Sequence, residues 1–481
     1  MSLMNADLQT VLPEIVLLTA ACVILVVDVF LDDRRRAWTY ALSQITLLGL
    51  VGLLVAGYSS EVRTAFSGAY VRDPMSDLLK IASALATVGV FAYARDYLRD
   101  RGLLKGEFFV LGLMAQLGTM VIISAHSFLI AYLGLELLSL SLYALVAFDR
   151  DSGLASESAM KYFVLGAIAS GLLLYGISMI YGVTGSVDFA EVSRALTDGN
   201  AGPRIVLVFG LVFIVVGVAF KLGAVPFHMW VPDVYHGAPT AVAALVGSAP
   251  KIAAVALALR ILGDGLQSLH EDWSGMLVVL SVLSLAIGNL VAIAQTNIKR
   301  MLAYSTISHV GFIVLGILSG NEDGYSAAVF YAIVYAFMAL GAFGIVIALS
   351  KAGFEAESLD DYRGLNERSP WLAFLMLLIM FSMAGVPPTV GFYAKLVVLE
   401  VVVDVGLVWL AIVAVVFSVI GAFYYLRIVK LMYFDEARGE APARGAMDTR
   451  VILGINGLAM LVAGVFPGGL MGLCQTAVAA G

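Results

Sequence analysis

The chain has 481 residues, 61% of them hydrophobic and 13% charged, with a formal net charge of −7 and a mean hydropathy of +0.96. Soluble domains carry about 25% charged residues, so a soluble fold is excluded and an all-α polytopic membrane protein is expected. Two cysteines, Cys22 and Cys474, stand at opposite ends with no zinc-like or C-x-x-C spacing, and no phosphate-binding glycine loop occurs, which argues against a metal cluster or nucleotide site in this chain.

A run of about 20 apolar residues crosses a bilayer core. Such runs fall at 11–31, 38–58, 74–95, 106–125, 127–148, 157–183, 204–236, 239–262, 274–296, 300–320, 325–350, 369–404, 406–433 and 449–467, which predicts fourteen crossings in a single membrane domain over 1–481. The first run contains Glu14 and Asp28 and follows no basic segment, so it reads as a retained helix rather than a signal peptide. Runs seven and twelve are overlong and carry Pro226 and the pair Pro387 and Pro388. Proline removes a backbone donor, so both helices are expected to break.

Of the 28 lysines and arginines, six lie within the runs: Lys80, Lys161, Lys221, Lys251, Lys395 and Arg427. Only Arg63, Arg72, Arg194, Arg204 and Arg260 fall in connections after even-numbered runs; the other seventeen follow odd-numbered ones. The excess of basic residues marks the cytoplasmic side, so both termini are expected to face outward.

Gly223-Ala224-Val225-Pro226 in run seven recurs as Gly385-Val386-Pro387-Pro388 in run twelve, each copy near a lysine, Lys221 and Lys395. Five crossings separate the copies, so they point oppositely across the membrane. Runs four to eight (106–262) and nine to thirteen (274–433) then form inverted five-helix repeats, after three N-terminal helices (1–105) and before a last one (449–467). Inverted repeats with broken helices place a polar site near the bilayer midplane.

Ionisable groups at membrane depth are costly and mark function by default. Glu136 is the only acid in run five, roughly 14 Å deep at 1.5 Å per residue. It reads as a proton-binding group responsive to a nearby lysine, or else as half of a structural ion pair. Lys221 is its natural partner, and Lys251 lies about 18 Å into run eight; a lysine withheld from water gives up its proton more readily than a solvated one. Lys161 has Glu157 at i−4 and is either an ordinary surface pair or part of a proton intake route. Lys395 follows the second break and repeats the logic of Lys221 in the other half. His228, beside Pro226, and His309, nine residues into run ten as Glu136 is in run five, suit a proton relay, with a satisfied core histidine as the alternative. Asp77 and Lys80 are spaced as a local pair, His236 reads as structural, and the tyrosines within the runs read as packing.

With these residues in place, the chain resembles the antiporter-like membrane subunits of complex I, closest to the subunit N branch. The segments KLGAVPFHMWVPDVYHGAPT, NIKRMLAYSTISHVG and AGVPPTVGFYAK carry the likeness, which extends over nearly the full length. The resemblance implies a fourteen-helix fold with two inverted halves and a proton-translocating role in NADH:quinone oxidoreductase. Glu136 and Lys221 would be the charge pair, Lys251 the central carrier, and Lys395 the second-half counterpart. It also implies no cofactor in this chain, with FMN, iron–sulfur clusters and quinone held by other subunits. Partners would be other membrane subunits, including sister antiporter-like ones, in a bacterial inner membrane. A subunit of a multisubunit sodium/proton antiporter or of a membrane-bound hydrogenase shares the same halves and is the alternative.

Overall fold

Lipid offers no partner for a free amide or carbonyl, so apolar segments close their hydrogen bonds within themselves, and the chain is helical almost throughout. The computed structural model describes residues 2–32, 35–199, 201–437 and 447–480. Arg34, Arg438 and Arg444, part of the basic count above, lie outside these.

A short helix, α1 (Ser2–Thr10), precedes the crossings α2 (Leu12–Val29) and α3 (Ala37–Ala56). A hairpin of β1 (Arg63–Ala65) and β2 (Tyr70–Arg72) leads into α4 (Pro74–Asp100), α5 (Gly106–Ile123), α6 (Phe128–Val146) and α7 (Gly153–Thr184). The surface helix α8 (Phe189–Thr197) is followed by run seven, split into α9 (Arg204–Leu222) and α10 (Trp230–Gly237). Run eight was expected to be continuous and is not. It divides at Gly247 and Ser248 into α11 (Thr240–Val246) and α12 (Ala249–Ala258), then ends in a π-helical turn, Leu259–Gly265. The crossings α13 (His270–Ile293), α14 (Ile298–Leu318) and α15 (Glu322–Leu349) lead through α16 (Leu365–Arg368) to run twelve, split into α17 (Pro370–Ala384) and α18 (Val390–Asp404). The last helices are α19 (Val408–Phe434), α20 (Met447–Val465) and the short apolar α21 (Gly468–Ala479). Among the described residues, 13 helices are long and apolar enough to cross a membrane, and α17 with α18 supplies a further interrupted crossing.

Burial divides the crossings into an interior and a jacket. The stretch Thr240–Gly265 is wholly buried and α14 and α15 nearly so, whereas α2, α3, α7, α19 and α20 turn most of their length outward. Their exposed side chains include Val26, Ile45, Ile168 and Val419, the apolar surface a helix shows to lipid or a neighbouring subunit.

One local construction occurs twice. Ser127 caps α6 and bridges to Asp188, and Asn297 caps α14 and bridges to Ser358, each pair standing 170 residues from its counterpart. The same register relates two close helix crossings. A Cβ on Gly118 would lie 2.5 Å from the Leu138 amide nitrogen, and one on Gly288 would lie 2.6 Å from that of Ser308. Only glycine lets α5 meet α6, and α13 meet α14, at that distance. The contacts between connections also sort by parity. On one face Arg101 pairs with Glu355 and Arg36 with Glu107; on the other, Arg204 pairs with Asp272 and Arg260 with Asp73. The Ser127 bridge lies on the second face and the Asn297 bridge on the first, so the copies of the motif are opposed across the molecule.

Candidate functional site

A helix that stops inside the protein leaves its last carbonyls without intrahelical partners and carries partial negative charge there. At the first break, Gly223 takes φ +84 and ends α9. Two side chains then take up freed carbonyls: Lys251 Nζ donates to Leu222 O at 2.9 Å, and Trp230 Nε1 donates to Phe220 O at 2.9 Å. The Lys251 ammonium also sits 5.1 Å above the Trp230 ring. Lys251 stands in the first turn of α12, just past the interruption at Ser248, rather than deep within one long helix as its distance along run eight implied.

The second break is built the same way. Gly385 takes φ +83 and ends α17, and Lys395 Nζ donates to Ala384 O at 2.9 Å and to Ser418 Oγ at 2.9 Å, with the ammonium 5.2 Å from the Phe312 ring. Leu222 and Ala384 each immediately precede the αL glycine of their break. The lysine bound at the carbonyl equivalent to that of Lys395 is therefore Lys251, whereas the repeated motif in the sequence sets Lys221 beside the first break. Two lysines at different sequence offsets reach equivalent carbonyls, because the carbonyl rather than the side chain's place in the chain is repeated.

Lys221 lies one residue before that terminal carbonyl and turns the other way, donating to Ser139 Oγ of α6 at 2.9 Å. Glu136, one turn earlier on α6, accepts from Ser170 of α7. Glu136 and Lys221 are thus not within ion-pair distance; each is held by a serine of its own. Ser139, Ser170 and Lys221 line a small void among α6, α7 and α9 of about 10 Å³, room for a single water.

The bridge register also moves His309. Because α14 begins at Ile298, the counterpart of Glu136 is Thr306, and His309 answers to Ser139, the residue that holds Lys221. His309 is 2% exposed, with Nδ1 2.8 Å from Tyr331 Oη and Nε2 3.1 Å from Tyr425 Oη. Tyr425 Oη lies 2.5 Å from Ser305 Oγ, and Tyr335 donates to Thr306 Oγ1 at 2.6 Å. These tyrosines are not mere packing: they form a polar seam through the interior. Its signal in the sequence is Tyr331 and Tyr335 at i,i+4 on α15, facing Ser305, Thr306 and His309 on α14.

Other candidates fall elsewhere. Lys161 is half exposed on the outer side of α7, paired with Glu157 at 2.9 Å and Asp233 at 3.1 Å, the ordinary surface pair with one acid added. Arg300 reaches the same Asp233 at 3.3 Å. His228 is half-buried in the first break, its Nδ1 without a hydrogen-bond partner among the described residues. Asp77 and Lys80 do not pair: Asp77 binds Arg72 at 3.0 Å, and Lys80 binds Glu14 of α2 at 2.8 Å and Tyr70 Oη at 2.9 Å. Arg260, counted above as a loop residue, is 1% exposed and bound to Asp73 at 2.6 Å. Burial pushes the Asp73 carboxyl up, but the Arg260 guanidinium and the Ser76 amide outweigh it and hold it below the usual carboxylate range. Arg427 donates to Ile293 O and Gln295 O, closing the end of α13. Among the described residues no cluster of three His, Cys, Asp or Glu side chains is placed to hold a metal ion.

The family described as NADH:quinone oxidoreductase/Mrp antiporter, TM, matches residues 125–421. The NADH-quinone oxidoreductase subunit N of Thioalkalivibrio sulfidiphilus is 62% identical over 472 residues, 98% of each chain. A chain in the structure of respiratory complex I from Thermus thermophilus with bound aureothin superposes with a TM-score of 0.83 at 29% identity, covering 98% of this chain and 100% of that one. A chain of the Mrp complex from Dietzia sp. gives a TM-score of 0.86 at 21% identity over 99% of this chain and 97% of that one, a likeness of fold alone. This chain belongs to the NADH:quinone oxidoreductase/Mrp antiporter transmembrane family and, within it, to the NADH-quinone oxidoreductase subunit N group.

Proposed function

We propose that this chain translocates protons as the antiporter-like subunit N of NADH:quinone oxidoreductase, in the bacterial cell membrane with both termini outward. Quinone reduction in other subunits would drive it. In this reading the chain holds no redox centre, and residues 106–262 and 274–433 act as two inverted halves. The observation that carries the proposal is the pair of buried ammonium groups, Lys251 and Lys395, each held on the terminal carbonyl of a broken helix. Neither has a carboxylate within ion-pair distance among the described residues, an expensive arrangement to keep unless the proton itself is the cargo.

The electrostatics follow from the spacing. An approaching carboxylate holds an ammonium charged, and a desolvated amine left alone gives up its proton. Because Glu136 and Lys221 are each held by a serine and not by one another, a small shift of α6 against α7 and α9 alternates the two conditions. The released proton passes to Lys251, then through the seam around His309 to Lys395. Glu136→Gln and Lys221→Ala, each in the assembled complex in liposomes, are expected to lower proton uptake per NADH oxidised while the complex still assembles. Unchanged pumping in both would overturn the reading.

A further inference from the structure

The two helix breaks run alike for two residues and then part. At the first, the amides of Gly223 and Ala224 turn back onto Ala219 O of α9; at the second, those of Gly385 and Val386 turn back onto Phe381 O of α17. The third position is Val225 in one and Pro387 in the other. Proline has no N–H to place. The Val225 amide does need a partner, and it finds one in the other half of the chain, donating to Ser284 Oγ of α13 at 2.9 Å. Ser284 is fully buried. In the 170-residue register its counterpart on α5 is Met114, so the second copy lacks both the donor and the hydroxyl. The second break is seated instead against α20, where Gly464 leaves no room for a Cβ beside Pro388 O.

The helix that supplies Ser284 is itself fixed to its neighbour. Ser281 Oγ donates to Gly311 O of α14 at 3.0 Å, and Gly288 brings α13 against the Ser308 backbone. Ser281, Ser284 and Gly288 stand at i, i+3 and i+7, on one face of α13. Next to Ser308 is His309. A line of bonds therefore runs from Leu222 O, which holds Lys251, along three residues to Val225, across to Ser284, and from α13 to the helix bearing His309. Taking the proposed proton translocation as given, we infer that Ser284 is a positioning residue for it, fastening the first break to the α13–α14 pair and so holding Lys251 in register with His309. Ser284 carries no proton itself. Proton transfer needs its groups within hydrogen-bond reach, directly or through one water, and a break that drifts takes the Leu222 carbonyl, and Lys251 with it, away from the second half.

Satisfying one buried amide is the purely structural role, and three variants of the assembled complex in liposomes separate the two. Ser284→Ala strands the Val225 amide; Ser284→Thr keeps the hydroxyl. Ser284→Ala with Val225→Pro removes donor and acceptor together and copies Pro387-Pro388, so no buried group is left unmatched. Ser284→Ala and the double variant are both expected to slow proton uptake about tenfold, within the hundredfold that a misplacement of about 1 Å can cost. Ser284→Thr should pump like the parent, and the double variant should regain the thermal midpoint that Ser284→Ala loses. If the double variant regains pumping as well, the bond only satisfies the amide and the inference is overturned. Ser284→Thr pumping as slowly as Ser284→Ala would overturn it too. Where Ser284→Ala does not assemble, the double variant decides. Lys251→Arg runs alongside: if it stops pumping while Ser284→Ala and the double variant pump like the parent, the positioning role is wrong and the translocating function stands. If Lys251→Arg also pumps like the parent, both fall.

Discussion

A lysine bonded to one main-chain carbonyl is held for position, and its chemistry is separable from its charge. Arginine in place of Lys251 could still donate to Leu222 O and lie over the Trp230 ring, but a guanidinium does not release its proton in a protein. Lys251→Arg is therefore expected to leave assembly intact and reduce proton uptake to about a tenth or less, measured as pH change per NADH oxidised in proteoliposomes. Assembly intact with pumping intact would mean the ammonium is only a cap. The identity of these residues was legible in the sequence, since Lys221, Lys251 and Lys395 are conspicuous in apolar surroundings. Their roles were not. Whether a side chain reaches a carbonyl, a serine or a carboxylate depends on which neighbouring helix it faces, and that is set by packing between segments up to 82 residues apart, as for Lys221 and Ser139. The tyrosine seam escaped for a related reason: an aromatic ring in an apolar run reads as packing until its hydroxyl finds a partner.

Helix breaks at the element scale depend on backbone freedom more than on proline. Gly223 and Gly385 sit at φ +84 and +83, and a Cβ on Gly223 would lie 2.8 Å from Val231 Cγ2. Gly223→Ala should cost about 1–2 kcal/mol from the left-handed backbone alone, plus the collision. The expected result is a complex with a lower thermal midpoint and weaker pumping, because the Leu222 carbonyl moves with the break. Gly118→Ala and Gly288→Ala test the helix crossings. Each puts a methyl within 2.6 Å of backbone that cannot step aside, so both should lower the amount of subunit recovered in the complex more than an alanine at Gly171, which meets open space. Runs of apolar residues and prolines made the crossings and two of the breaks readable. The interruption of run eight was not, because Gly247-Ser248 carries only a weak break signal and Pro250 sits at the start of α12, where proline is well accommodated.

Across the whole molecule, the two faces are fastened differently. On the face that gathers the connections after odd-numbered runs, they meet through partly exposed pairs, Arg101 with Glu355 and Arg36 with Glu107. On the opposite face, Arg260 in the π-helical end of run eight is buried among the α4 cap residue Asp73, Asp264 and the carbonyl of Ile123 at the end of α5. That knot fixes the helix bearing Lys251 to the N-terminal helices outside the repeats. Removing Arg260 alone strands Asp73 as a buried charge, a loss of about 3–5 kcal/mol. Arg260→Met should therefore sharply lower the thermal midpoint of the purified complex. Adding Asp73→Asn, which still caps α4, should recover much of that loss, whereas Asp73→Asn in the parent should cost less than Arg260→Met. Because the Asp73 carboxyl lies below the usual range in the folded chain, its contribution is complete above that range and is lost only as pH falls through the lowered value. Without the guanidinium, burial dominates at Asp73 and raises its carboxyl, so the destabilisation by Arg260→Met should be full at neutral and alkaline pH. It should shrink as pH falls into the mildly acid range, where the carboxyl takes up a proton and becomes neutral as in Asp73→Asn; a midpoint difference constant across that range would place the interaction elsewhere.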